Sequence, residues 1–141
     1  MAGVNEIVLG RLKLLDEYTG KLRELSLCTF EEYQANYLIS RTTERLLHLA
    51  IETCLDIGNH ILAEAGFRAP EDNKDVFNVL AEEGIVPQEL LPRLVDMAAF
   101  RNLLVHSYTK INDAIVHGIL RDRLGDMNEY AKAITDYLAG Q

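Results

Sequence analysis

Leu90-Leu-Pro-Arg-Leu-Val-Asp-Met-Ala-Ala-Phe-Arg-Asn-Leu-Leu-Val-His-Ser-Tyr108 is the stretch that decides the fold. At about 100° per residue, Leu90, Leu94, Met97, Arg101, Leu104 and Tyr108 fall in one near-continuous row at spacings of three and four, the periodicity of an amphipathic helix. Pro87 starts this predicted helix, and Pro92 lies within its first turns, where proline is tolerated. One member of the row is charged. A guanidinium in an apolar row must be paired, because burying it uncompensated costs several kcal/mol. Arg101 is therefore either half of a structural ion pair with an acid on a neighbouring helix or part of an anion site in a groove or subunit interface.

Outward from this segment the same periodicity recurs. Val4, Val8, Leu12, Leu15, Leu22 and Leu25 predict a first helix over residues 4–26. Thr29-Phe-Glu-Glu32 reads as a capping box that opens a long second helix running to Gly66, a C-cap glycine. That helix carries a core stripe through Leu47, Ile51, Cys54 and Ile61. A loop with Pro70 precedes a short helix over Lys74–Glu83, which Gly84 ends. Asn112 or Asp113 caps a fifth helix reaching Ala139, with Gly118 and Gly125 as points where it could break. No alternating β-branched run competes. The expected architecture is all-α, an antiparallel bundle of four to five helices.

Composition sets the limits. The chain has 141 residues, 48% of them hydrophobic and 26% charged, which suits one domain over 1–141 with a single core. No apolar run is long enough to span a bilayer and no basic segment precedes an apolar one, so a cytoplasmic protein without membrane contact is expected. Cys28 and Cys54 lack CxxC spacing and read as thiols in apolar or helical surroundings. The net charge of −8 argues against a broad basic surface for nucleic acid, so any such contact must be local.

The chemistry concentrates in Arg101-Asn-Leu-Leu-Val-His106-Ser-Tyr108. Shuffling the composition would give Arg-x4-His about 0.26 times, but the triplet with tyrosine two residues later only about 0.01 times. Arginine is always charged and fork-shaped, suited to a phosphate. Histidine moves protons near neutral pH. Cleavage of RNA by its own 2′-hydroxyl needs a base, a cation on the phosphorane oxygens and a proton for the 5′-oxygen, all without a metal or cofactor. Arg101 and His106 are accordingly the candidate catalytic residues. Asn102, four residues before His106, faces the same way and is a candidate support for the imidazole. On an ideal helix His106 lies about 140° from Arg101, so the pair converges only across a groove edge, at a helix end or with a dimer mate.

On the second helix Glu44, His48, Glu52, Asp56 and His60 recur every four residues. Each step rotates the stripe by about 40°, so Glu44 and His60 face different ways and the five cannot hold one ion. The stripe reads as a polar face, with Glu52 or Asp56 as the expected partner of Arg101.

Phe100-Arg101-Asn102 and Leu104-Val105-His106, with Tyr108, resemble the motif of the HEPN superfamily and, within it, of the HepT type of small ribonuclease toxin. Arg41-Thr-Thr-Glu-Arg45 and Asp56-Ile-Gly-Asn-His60 are similar to that family's second helix. The resemblance implies an all-α homodimer whose two motifs face a shared cleft and which cleaves RNA without a metal. It also implies a neighbouring minimal nucleotidyltransferase of the MntA type as antitoxin. That enzyme would transfer AMP from ATP to the motif tyrosine, here Tyr108, and phosphates added beside Arg101 would fill the anion site and repel RNA. Ser107 departs from the acidic residue that relatives often carry. A non-catalytic helical module that binds nucleotide or docks a nucleotidyltransferase is the alternative, and a metalloenzyme built on the second-helix stripe a third.

Overall fold

The structure, a computed structural model, describes residues 3–106 and 111–141, with the backbone alone at Val4. Seven α-helices are found among them: α1 (Val4–Leu25), α2 (Phe30–Ala35), α3 (Tyr37–Ala65), α4 (Asn73–Glu82), α5 (Leu91–His106), α6 (Asp113–Asp122) and α7 (Leu124–Ala139). They form five arms, because two predicted helices are each interrupted once.

The first interruption is at Asn36. The Thr29 capping box forms as expected, with the hydroxyl accepting from Glu32 N and the Glu32 carboxylate accepting from Thr29 N. The helix it opens ends after six residues, where Asn36 turns to an extended conformation (φ −121°, ψ 102°) and caps α3 through Leu38 N. An asparagine side chain competes with the helical backbone for its own hydrogen bonds, so it favours a cap over an interior position. The second interruption is at Arg123 (φ −115°, ψ 0°), between α6 and α7. Its guanidinium turns to Asp126, 2.8 Å from Nε to the carboxylate. The helix expected from Pro87 begins at Leu91 instead. Residues 87–90 form a turn in which Leu90 N bonds to Pro87 O (3.1 Å), leaving Pro92 in the first turn, where its missing N–H has no helical partner to lose. Gly66 and Gly84 each adopt φ 72° to end α3 and α4, a left-handed conformation that other residues resist.

α3 is the central element. α1 runs antiparallel to it, as Arg11 meets Asp56 and Asn5 shares a surface cleft with Ile61 and Ala65. α7 lies on another side, where the buried Tyr130 hydroxyl donates to Cys54 O on α3 at 2.8 Å. Gly58 lets α4 and α7 approach closely. A methyl group there would meet Val76 Cγ1 at 2.6 Å, Leu80 Cδ1 at 3.1 Å and Tyr130 Oη at 3.3 Å. α5 packs antiparallel to α7, held by Arg93 on Asp126 and Glu129. The ring of His117 on α6 lies 5.5 Å from those of Phe30 and Tyr33, and its Nε2 stands 3.1 Å from Cys28 O, which ties α2 to α6.

The core runs through the predicted rows: Val8, Leu15 and Leu22 of α1, Leu47, Ile51, Cys54, Ile57 and Ile61 of α3, Leu94 and Met97 of α5, all buried. Burying a side chain of this size contributes about 1.5–3 kcal/mol, so the rows dominate the packing energy. Both cysteines are free thiols. Cys54 is buried, and burial pushes its thiol far above the usual range. No helix among the described residues is long and apolar enough to cross a membrane.

Candidate functional site

α5 carries Arg101 to His106 of the motif over its last two turns. Leu94 and Met97 of the row are buried, and Arg101 follows them at the edge of the core with its side chain 20% exposed. The pairing that this position demands is met by Glu52 of α3, whose carboxylate accepts from Arg101 Nε. Asp56, the other expected partner, is engaged by Arg11 Nε at 2.6 Å. The guanidinium is further fixed by its neighbour, since Nη1 donates to Asn102 Oδ1 at 3.2 Å. Asn102, expected to steady His106, thus uses its carbonyl oxygen on Arg101. Nε and one N–H of Nη1 are occupied, and the Nη2 edge has no partner among the described residues. Such an edge can accept an anion while Glu52 still holds the other side of the fork.

His106 is the last residue of α5 and is exposed. No hydrogen bond joins it to Arg101 or Asn102, so the chain brings Arg101, Asn102 and Glu52 together and leaves the imidazole apart, at the helix end. Leu103, between them, is an exposed apolar side chain. Ser107 and Tyr108 lie outside the described residues, so the motif tyrosine has no structural account here.

The polar stripe of α3 lies against this group. His48 Nε2 is 3.6 Å from Glu52 Oε1, the same oxygen that Arg101 holds, and Arg45 Nη1 is 3.4 Å from His48 Nδ1. Because an arginine only donates, His48 Nδ1 accepts, and the ring proton sits on Nε2 facing Glu52. Arg101 and His48 therefore meet on one carboxylate, with Arg45 on the far side of the imidazole. Further along, Arg41 pairs with Glu44 at 3.4 Å and His60 Nε2 stands 3.6 Å from Asp56. The stripe that resembled a ligand set by spacing is a run of side-chain contacts between acids, arginines and imidazoles, and no three His, Cys, Asp or Glu among the described residues gather closely enough to hold a metal. The sequence separated Glu52 and Asp56 from the other acids but not from each other. The role of Arg45 was visible only as an arginine three residues before a histidine.

Fold and site together define an all-helical protein of the HEPN type, with the motif arginine anchored on the long central helix and the motif histidine at the end of its own. The model of the family described as "Ribonuclease HepT-like" matches residues 15–134, and the chain belongs to that family. It is similar to the mRNA nuclease HepT of Shewanella oneidensis, at 23% identity over 131 residues, covering 93% of this chain and 98% of that protein. It is also similar to the tRNA nuclease HepT of Aphanizomenon flos-aquae, at 28% identity over 132 residues, 94% of this chain and 90% of that one. Among solved structures, the tri-AMPylated Shewanella oneidensis HEPN toxin in complex with MNT antitoxin matches with a TM-score of 0.84 and 21% identity, covering 96% of this chain and 99% of that one. At that identity the likeness speaks for the fold alone.

Proposed function

We propose that the chain is a metal-independent endoribonuclease toxin, neutralised by a nucleotidyltransferase antitoxin of the MntA type. The observation that carries the reading is the guanidinium of Arg101, fixed by Glu52 and Asn102 with no partner for Nη2 among the described residues, on the same helix as an exposed histidine. Names of relatives point the same way: two are nucleases of mRNA and tRNA, and a similar fold is a toxin carrying AMP groups beside its antitoxin.

In this reading Arg101 holds the non-bridging oxygens of the scissile phosphate, where charge develops in the transition state. His106 takes the proton of the 2′-hydroxyl. The O2′–P bond forms, the P–O5′ bond breaks, the leaving 5′-oxygen takes up a proton, and the products are a 2′,3′-cyclic phosphate and a 5′-hydroxyl. Asn102 keeps the guanidinium in plane. Since Arg101 faces α3 and His106 points off the helix end, a homodimer that apposes two α5 termini over Leu103 would close the groove. Tyr108 is the acceptor of AMP, and its modification would load phosphates beside Arg101 and repel the substrate.

The experiment is cleavage of RNA by wild type, Arg101→Ala and His106→Ala in EDTA, with the product ends identified. Cyclic-phosphate ends from wild type and none from either variant are expected. Dependence on added metal, or undiminished cleavage by both variants, would overturn the reading. Incubation with the partner enzyme and ATP should abolish wild-type cleavage but spare Tyr108→Phe. The acidic net charge of −8 favours the second reading, a non-catalytic module that docks the nucleotidyltransferase through Arg101. Growth arrest on expression of the chain alone separates the two.

A further inference from the structure

Three arginines elsewhere in this chain are each spent on two acids. Arg68 is held by Asp75 (2.7 Å) and Glu82 (2.8 Å), Arg93 by Asp126 and Glu129, and Arg123 by Asp126 (2.8 Å) and Asp96 (3.6 Å). Each of these guanidinium groups meets two carboxylates, so none has charge left for a ligand. At the seam of α3 and α5 the order is different: Arg101 and His48 both meet the carboxylate of Glu52, and Arg45 stands behind His48 with no acid of its own among the described residues. Arg45 is exposed, and its contact is with an imidazole rather than an acid. In a chain of net charge −8 this brings an arginine without an acid partner among the described residues next to Arg101 along one line of contacts, Arg45–His48–Glu52–Arg101.

We infer that Arg45, held in place by His48, is a second phosphate-binding position, which takes a backbone phosphate next to the one that Arg101 holds. The inference rests on the ribonuclease reading above and names how the strand is seated on it. His48 and Arg101 touch the same Glu52 oxygen, so the two positions lie side by side, as neighbouring phosphates of one strand require. Glu52 stands between them and keeps the cations from repelling one another, while their outward N–H groups meet the phosphate oxygens. Arg45 acts on affinity, because it grips substrate and transition state alike.

The test is binding of a fluorescent single-stranded 2′-O-methyl RNA, which lacks the attacking hydroxyl, to the full chain over a range of salt concentrations. Arg45→Gln should weaken binding about three- to tenfold and lower the slope of log K against log salt by about 0.7, the loss of one phosphate contact. Arg45→Lys should keep the slope, His48→Gln should give a smaller loss of affinity than Arg45→Gln, and Lys74→Gln, an exposed cation on α4, should bind as wild type does. On cleavable RNA the Arg45→Gln defect should fall in KM. Unchanged affinity and slope in a folded Arg45→Gln protein, beside a wild type that binds, would overturn this inference alone. A wild type that neither binds nor cleaves RNA would overturn the ribonuclease reading with it. Loss of binding to the nucleotidyltransferase with RNA affinity intact would instead make the patch a protein contact and refute the assignment.

Discussion

Replacing Glu52 by glutamine separates two roles that its contact with Arg101 allows. The carboxylate either steadies the guanidinium for substrate or competes with substrate for it. Glutamine keeps the size and one acceptor oxygen but removes the charge. Breaking a fully buried ion pair costs about 3–5 kcal/mol, and an exposed pair is worth about 0–1 kcal/mol. With side chains 20% and 39% exposed, Arg101 and Glu52 lie between these limits, so a loss of about 1–2 kcal/mol of stability is expected. For a chain of this length that lowers Tm by about 3–7 °C. Native stability of about 5–15 kcal/mol leaves the variant folded at 25 °C, where activity then reports position alone. Glu52 occupies Nε, and Nη2 has no partner among the described residues, so geometry favours steadying over competition. A displaced phosphate contact should lower kcat/KM about tenfold, equivalent to about 1.4 kcal/mol of transition-state binding. The assay is initial-rate cleavage at 25 °C beside a thermal melt; the melt is repeated in an Arg101→Ala background, where Glu52→Gln should cost no further stability. Cleavage by Glu52→Gln at or above the wild-type rate would refute the argument and make Glu52 a competitor of the phosphate.

Other expectations concern the scaffold. Gly58→Ala gains about 1 kcal/mol of helix propensity but drives a methyl into Val76 Cγ1 at 2.6 Å, overpacking that costs about 1–3 kcal/mol; the melt should show a lower Tm, and an unchanged one would mean that α4 yields freely. Tyr130→Phe deletes the buried bond to Cys54 O at 2.8 Å and should cost about 1 kcal/mol in urea denaturation with the slope unchanged. Hydrogen bonds from Arg68, then from Glu71 N, hold the Asp75 carboxyl well below the usual carboxylate range. Its folded pKa is depressed, so this stabilisation is full above the unfolded value near 4 and is lost as pH falls below it. Chemical denaturation between pH 7 and pH 3 should therefore show a smaller acid loss in Arg68→Gln than in wild type.

Helix identity was legible in the sequence because burial follows the 3.6-residue period, and the rows of α1, α3 and α5 are buried where that period places them. The breaks were harder to read. A one-residue interruption at Asn36 or Arg123 hardly disturbs the register of apolar residues, and only cap chemistry marks it. Asn36 before Tyr37-Leu38 had that mark, but the stronger box at Thr29 masked it. Arg123 carried no cap signal of its own, although Gly125, two residues on, had marked this part of the helix as a possible break; the Arg123 side chain turns to Asp126, a carboxylate three residues on that also serves Arg93 on α5. At the site, periodicity established that Arg101 needs an acid and that α3 offers two. The choice of Glu52 over Asp56 depended on Arg11, which approaches from α1 and takes Asp56, a contact 45 residues away in sequence.

The distribution of charge bears on how an acidic chain meets an acidic substrate. Net charge acts at long range and is screened beyond about 10 Å at 0.1 M salt, whereas the phosphate contacts proposed for Arg45 and Arg101 would act only once a phosphate has arrived. The two have opposite signs for RNA. Added salt should therefore speed the approach by screening the repulsion of the −8 chain, while it weakens the bound state by competing at the seam of α3 and α5. In stopped-flow binding of 2′-O-methyl RNA the association rate should stay level or rise with salt as the dissociation rate rises more steeply. A protein bound through a broad basic surface would show the reverse, an association rate that falls with salt, and that outcome would displace the site from this seam. Specificity in such an arrangement comes from dissociation: a strand that fails to place two adjacent phosphates on Arg45 and Arg101 meets only repulsion elsewhere and leaves.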